Sequence, residues 1–344
     1  MNRKTLRRAV FGALALLGLV SAAHAQTLDE IPRTMIVTSD PQYPWTDKMD
    51  QGNSDESDSK KERRSEELIR EQYNSIAGYR RARPGMNIPV VINGDLTAYG
   101  HGWQRSKMSS LYRILGDNYY LGLGNHDYDN NIRQSNGSGC ANNGCARDSL
   151  DGLRDHVKSR NVLAFDFTDH TGAFGGEFDG SYAYAFEAKG FERVANIQLN
   201  NYPTYEVSFT TNKTFNYKFN VTSSLPWLHE LMPRLNASTR DFDFMLIHVH
   251  QPEWDAGSGN AFTELVRANK VPVVFAGHLH GRMGRYYSRN FGNVPVFLSG
   301  SASQRTYLIV EHYPKAKVLR VYGVRNNDPE NKQLIEEIQV PGQG

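Results

Sequence analysis

The sequence predicts an α/β fold, and three features predict it. Five short apolar runs, rich in β-branched residues, each end on a polar cluster. Stretches of helical length and spacing lie between them. From residue 180 to 219 the spacing changes to alternating aromatic and polar side chains, the two-residue period of a strand. At 344 residues the chain suits one large domain or two small ones, and no linker or internal repeat divides it.

Residues 1–25 stand apart. Arg3, Lys4, Arg7 and Arg8 precede an apolar run at 9–20 that is too short for a comfortable membrane span. Ala23-His24-Ala25 then places small residues before Gln26. This is the layout of a signal peptide, so an exported chain, periplasmic or secreted, is expected. Its removal takes four of the 39 Lys and Arg residues and no acidic one, leaving 35 against 37 Asp and Glu. A near-neutral surface offers no electrostatic drive toward nucleic acid, so no such partner is expected. No later run is long and apolar enough to span a membrane, and nothing in the sequence sets an oligomeric state.

The first strand is expected over 34–38, ending at Ser39-Asp40. Residues 47–67 are dense in charge and read as a solvated loop that runs into a helix over about 65–81. Further strands are expected over 88–93, ending at Gly94-Asp95, and over 119–123, leading into Gly124-Asn125-His126-Asp127. Two more cover 242–249, leading into His250, and 271–275, leading into Gly277-His278-Leu279-His280. Apolar runs of this kind suit a sheet covered on both faces. Functional residues at strand carboxyl ends are what an open α/β sheet predicts. Helices are expected over 103–115, 150–159, 225–235 and 261–269. The aromatic stretch 180–219 reads as antiparallel strands, and strands at 291–301, 306–312 and 317–324 follow.

Each polar cluster alone is weak. An Asp after a strand often caps a helix, and Gly-Asp is an ordinary turn. Their order together is more informative: Asp40, Gly94-Asp95, Gly124-Asn125-His126-Asp127, His250-Gln251-Pro252, then Gly277-His278-Leu279-His280. Carboxylate, amide and imidazole donors form a set that suits a pair of divalent cations. A cation pair in turn suits hydrolysis of a phosphate ester.

This ordered set resembles the calcineurin-like metallophosphoesterase superfamily, over roughly residues 33–324. Asp95-Leu-Thr-Ala-Tyr-Gly100 is similar to the second motif of that family, and Gly180-Ser-Tyr-Ala-Tyr-Ala-Phe186 looks like its central hairpin strand. The resemblance implies a four-layer α-β-β-α sandwich over 33–325, a C-terminal tail at 326–344 and a dimetal site at strand carboxyl ends. It implies that Asp95 bridges two ions. Asp40 and His280, with Gln42, would hold the first ion, and Asn125, His250 and His278 the second. His126 would face the scissile phosphate, oriented by Asp127. The implied reaction is hydrolysis of a small phosphate mono- or diester by a hydroxide held between the ions, as a phosphatase or phosphodiesterase. A catalytically weak or inactive metal- or ligand-binding protein on the same fold is the alternative.

One departure bears on the ions. The family usually places His where this chain has Gln42. An amide oxygen is neutral and harder than an imidazole nitrogen. The first ion is therefore expected to bind more weakly, or to be Mg²⁺, Mn²⁺ or Ca²⁺ rather than Zn²⁺; Fe also belongs among the possible ions. His248 and His250 lie two apart and share a strand face. The family's ligand usually precedes x-Pro, so the resemblance implies His250 as the ligand and His248 as a buried hydrogen-bonding residue.

Tyr43 and Trp45 follow Asp40, and Tyr99 and His101 follow Asp95. All four are candidates to shape the pocket, with Tyr43, Tyr99 and His101 the candidates for substrate contact. Arg282, Arg285 and Arg305 are candidates to meet the second charge of a monoester. Cys140 and Cys145 are the two cysteines of the chain. In an exported protein a local disulfide is expected, with free thiols or a metal pair as alternatives. Two cysteines alone do not complete a tetrahedral site. The loop closed is short, so its use would be to stiffen the segment after Asn125 and His126.

Overall fold

The computed structural model describes residues 30–132, 140–172, 174–212, 215–237, 242–255, 261–269 and 271–341. The segment 1–25, expected as a signal peptide, lies outside the described residues. The chain begins with β1 (Arg33–Thr38), α1 (Asp58–Arg81), β2 (Val90–Ile92), α2 (Gly102–Tyr112), β3 (Tyr119–Leu121) and α3 (Gly144–Lys158). A β-rich middle follows, with β4 (Val162–Phe165), β5 (Thr168–Gly172), β6 (Gly175–Gly180), β7 (Tyr184–Glu187), β8 (Val194–Gln198), β9 (Val207–Asn212) and β10 (Asn216–Val221). Next come α4 (Leu225–Asn236), β11 (Phe244–Val249), α5 (Ala261–Ala268), β12 (Val273–Ala276), β13 (Met283–Tyr286) and β14 (Val296–Ser299). The last three strands are β15 (Tyr307–Tyr313), β16 (Val318–Val324) and β17 (Gln333–Gln339).

Three sheets result. One has the order β17-β16-β15-β1-β2-β3, the second β13-β14-β12-β11-β8-β7-β4, and the third, smaller one β5-β6-β10-β9. Strands β1, β2 and β3 are parallel, as are β8, β11, β12 and β14. The layering can be followed residue by residue in β11. Phe244 and Leu246 join the core shared with β1 and α1, whereas Met245, Ile247 and Val249 join a second core under α4 and α5. Alternate side chains point to opposite faces of a strand, so this sheet is covered on both sides. On the other side, Ile69, Tyr73 and Ile76 of α1 pack on the first sheet. The result is the expected four-layer α-β-β-α sandwich.

Two expectations need correction. Helix α1 starts at Asp58, seven residues before the expected start. Its first two turns are Lys, Glu and Arg, which are good helix formers even with no apolar stripe, and an Arg70–Glu66 pair at 2.7 Å spans one turn. Within the expected C-terminal tail, Gln333–Gln339 form β17, which pairs antiparallel with β16. In the middle region β10 runs parallel to β6, not antiparallel. The crossover between them, which passes through β7, β8 and β9, is long enough for parallel pairing. The pairing sets Phe219 beside Phe178 with ring centroids 4.9 Å apart, while Phe209 of β9 stacks on Phe219 at 5.0 Å.

Two core histidines give the fold a pH dependence. His248 lies in β11 between the rings of Phe186 and Phe275, with Nε2 3.1 Å from Asn196 Oδ1; burial lowers it to about 3. His312 in β15 is likewise lowered to about 4 by burial, against the pull of Asp243. Both are neutral when folded and gain a proton more readily when unfolded. Stability is therefore complete above the ordinary value of 6.5 and falls as pH drops toward the folded values. Each histidine contributes a slope of at most about 1.4 kcal/mol per pH unit in that window. Urea unfolding at stepped pH should show this slope in the wild type and a shallower one in His248→Gln and His312→Gln. Identical slopes in all three would contradict the assignment.

Candidate metal centre

The parallel strands of both central sheets deliver their polar ends to one place. Asp40 follows β1, Asp95 follows β2, Asn125 follows β3, His250 follows β11 and His278 follows β12. His250 Nε2 lies 3.1 Å from Asp95 Oδ2 and 3.1 Å from Asn125 Oδ1, and His278 Nδ1 lies 3.3 Å from His250 Nε2. His280 Nε2 lies 3.4 Å from Asp40 Oδ1, and the His278 backbone N–H donates to Asp40 Oδ2 at 2.9 Å. Two donor triples emerge: Asp95, His250 and His278 form one, and Asp40, Asp95 and His280 the other. Within each triple all donor atoms lie within 4.8 Å of one another. Asp95 belongs to both.

Close approach of the strand ends depends on small residues. A Cβ on Gly124 would sit 2.2 Å from Asp95 Oδ1, and one on Gly277 would sit 2.0 Å from Ser39 Oγ and 2.8 Å from Asp40 Oδ2. The backbone is also held in an uncommon conformation. Asp40, Gln42, Asp95 and His278 all have positive φ, between 42° and 69°. Such geometry persists where surrounding contacts impose it, and it clusters at functional sites.

The donors suit metal ions. Asp40 Oδ1 and both polar atoms of the Gln42 amide are buried with no hydrogen-bond partner. Buried polar atoms are costly unless satisfied, and an ion satisfies oxygen donors. The imidazoles are fixed from behind: His250 Nδ1 donates to the Asn93 carbonyl at 3.0 Å, and His280 Nδ1 donates to Asp50 at 2.6 Å. Each Nε2 is thus left facing a carboxylate. Burial pulls His280 down, but Asp40 and Asp50 override it and raise the ring to about 10. His250 is raised in the same way, chiefly by Asp95, while Asp95 is held low by His250. An ion held by these Nε2 atoms would displace their protons, so its binding would be linked to proton release.

The expected role of Asp127 is different in the structure. Its carboxylate accepts from the backbone N–H groups of Leu96, Thr97 and Gly124 and from the Thr97 hydroxyl, at 2.9–3.0 Å. It therefore ties together the loops that carry Asp95 and Asn125, and it does not orient His126. That task falls to the Ala98 carbonyl, which accepts from His126 Nδ1 at 2.9 Å, while the His126 backbone N–H donates to Asp95 Oδ1 at 2.9 Å. Tyr43 is also misassigned as a substrate contact. It is 2% exposed, with its ring edge against Trp103 at 5.7 Å. Tyr99 and Trp103 are exposed nearby. His101 stacks on Trp103, and its Nδ1 lies 3.4 and 3.5 Å from the two sulfurs of the Cys140–Cys145 disulfide. His248, as described above, is a core residue.

One site residue, Asp50, escaped the sequence analysis. Asp50 sits in a 3-10 turn (Met49–Gln51) within the stretch expected to be solvated. Besides His280 it accepts from Trp45 Nε1 at 2.7 Å, from Gln304 Nε2 at 2.6 Å and from Ser303 Oγ. Trp45 stands edge-on to both His126 and His280, with ring centroids 5.7 Å away in each case. Asp50→Ala removes the group that fixes the His280 tautomer. Mn²⁺ affinity, measured by titration calorimetry, is expected to fall roughly 10–100-fold. An unchanged affinity would mean that Asp50 does not set the ring. Of the three candidate arginines, Arg285 pairs with Glu336 and Arg305 with Glu71. Arg282 lines an open groove beside His278 and His280.

The model of the calcineurin-like phosphoesterase family matches residues 35–282. No curated protein matches the chain. Among solved structures, a protein serine/threonine phosphatase from Saccharomyces cerevisiae, described as similar to human phosphatase PP5, aligns at 13% identity. That alignment covers 90% of this chain and 81% of the other, with a TM-score of 0.30.

Proposed function

Since this chain belongs to the calcineurin-like phosphoesterase family and is a phosphoric ester hydrolase, we propose that it is an exported enzyme using two divalent ions to cleave a small phosphate mono- or diester. The observation that carries this proposal is the pair of donor triples sharing Asp95. Asp40, Gln42, Asp95 and His280 would hold one ion, and Asp95, Asn125, His250 and His278 the other. When bound, such ions supply a water acidified to near neutral pH and positive charge for the phosphate oxygens.

The protein groups divide the remaining work. Asp95 is shared by both donor sets, and its Oδ2 faces His250 Nε2 at 3.1 Å. His126, with Nδ1 tied to the Ala98 carbonyl, leaves Nε2 to give a proton to the departing oxygen. Trp45 walls the site between His126 and His280. Arg282 is placed to meet the second charge of a monoester at the groove. Among the described residues, no helix is long and apolar enough to cross a membrane. Export rests on the layout of residues 1–25 and agrees with the Cys140–Cys145 disulfide.

A hydrolysis panel tests the proposal: aryl mono- and diesters, nucleotides and phospholipid headgroups, after chelation and after return of Mn²⁺, Mg²⁺, Zn²⁺ or Ca²⁺. Turnover that is lost on chelation and restored by an ion, with two ions bound, is expected. A single tight ion and no turnover on any substrate would favour a binding protein instead.

A further inference from the structure

Three further donors meet away from the strand ends, between the loop that enters α2 and the start of α3. His101 immediately precedes α2, and Cys145 lies in the first turn of α3. Cys140 precedes the 3-10 turn (Ala141–Asn143) that leads into that helix. Their donor atoms all lie within 4.8 Å of one another. His101 Nδ1 is 3.4 Å from Cys140 Sγ and 3.5 Å from Cys145 Sγ, and the two sulfurs are joined as a disulfide.

The disulfide does not account for the imidazole. Its sulfurs are weak acceptors and have no proton to give, so it gains little from a ring nitrogen facing both. Two thiolates and an imidazole, in contrast, are a ligand set. A tetrahedral ion with bonds of about 2.3 Å to sulfur and about 2.0 Å to nitrogen holds N and S roughly 3.5 Å apart. His101 already stands at that separation from each sulfur. With the bond between them reduced, the sulfurs need only part to about 3.8 Å. Cys140 has room to supply this movement, being half-buried and on extended backbone.

The surroundings favour ligation as well. The start of α3 stabilises a thiolate on Cys145. Gln104 Oε1 accepts from the Tyr99 and His101 backbone N–H groups at 3.1 and 3.3 Å, and the His101 ring stacks on Trp103, so the imidazole is held in place. Burial, helped by Arg105, lowers its affinity for a proton and leaves it a neutral donor.

We propose that the reduced protein holds one thiophilic divalent ion, Zn²⁺ or its analogue Co²⁺, on Cys140 Sγ, Cys145 Sγ and His101 Nδ1, with water in the fourth position. A phosphine and one water reduce the disulfide to two thiols and leave as the phosphine oxide. The ion then takes both thiolates and releases two protons. The same sulfurs thus serve either a disulfide or an ion. The site is separate from the strand-end centre, and its test needs no turnover.

The full protein is reduced with a phosphine, freed of it under nitrogen, and titrated with Co²⁺. A saturable thiolate-to-cobalt charge-transfer band should develop, and the oxidised protein should give none. The band reports this site alone, because the chain has two cysteines and the strand-end triples offer only oxygen and nitrogen. Cys140→Ser, close in volume, should lose most of the band. His101→Ala should weaken the ion by roughly 100-fold or more, since removing even an outer partner of a ligand costs about 10–100-fold. Circular dichroism checks that both variants fold. Absence of the band in the reduced wild type, an undiminished band in Cys140→Ser, or wild-type affinity in folded His101→Ala would each overturn the proposal.

Discussion

Asp95→Asn is expected to lower kcat by at least about 1,000-fold on every substrate the enzyme accepts. Asparagine keeps the volume of the side chain and an oxygen that can still accept from the His126 N–H, now at 2.9 Å. What it loses is the negative charge and the second oxygen, the one that lies 3.1 Å from His250 Nε2. Both donor triples contain Asp95, so both are reduced to two strong donors at once. No other single substitution does this, because Asp40 and His280 serve one triple and His250 and His278 the other. Ion stoichiometry should therefore fall together with kcat. The fold should survive, since asparagine keeps the bond from the His126 N–H and His250, no longer facing a carboxylate, can release its extra proton rather than stay buried as an unpaired charge. The measurement pairs steady-state turnover at saturating Mn²⁺ with metal content by elemental analysis. A variant that keeps two ions and turns over within tenfold of the wild type would remove Asp95 from its shared position.

The sites of the ligands were legible because they depend on local pattern. An apolar run followed by a polar tip marks a strand end, and parallel neighbours such as β1 and β2, or β11 and β12, bring their ends together. What that pattern does not carry is the choice of partner between distant residues. Asp50 stands 230 residues from His280, and nothing in the charged stretch around it distinguishes it from solvated neighbours. The family resemblance implied that Asp127 orients His126. The fold instead turns Asp127 toward the backbone of Leu96 and Thr97, about one loop away. Tyr43 follows Asp40 closely and still points into the core, because it takes part in a bridge to Thr97 that closes the loop inward. Edge strand β17, with Glu336 and Glu337 in a half-exposed run, lacks the apolar content that marked the interior strands. In each case the missing information was a tertiary contact rather than a propensity.

His126→Ala separates the work of the protein from that of the ions. No donor triple includes His126, so ion content should remain at the wild-type value. If its Nε2 gives a proton to the departing oxygen, kcat should fall about 100- to 10,000-fold on an alkyl phosphate ester. An ester with a 4-nitrophenyl leaving group expels a stable phenolate without help, so its loss should be much smaller. The ratio of the two losses is the discriminating quantity. A structural role for the ring, such as holding the Ala98 carbonyl in place, would depress both substrates alike. Equal losses would thus assign His126 to positioning, and a loss confined to poor leaving groups would assign it to proton transfer. Trp45 sharpens the comparison: it packs edge-on to His126 and to His280 alike, so its movement after the substitution would alter the ion site. Unchanged Mn²⁺ affinity in His126→Ala is therefore the control that lets the leaving-group ratio be read as chemistry.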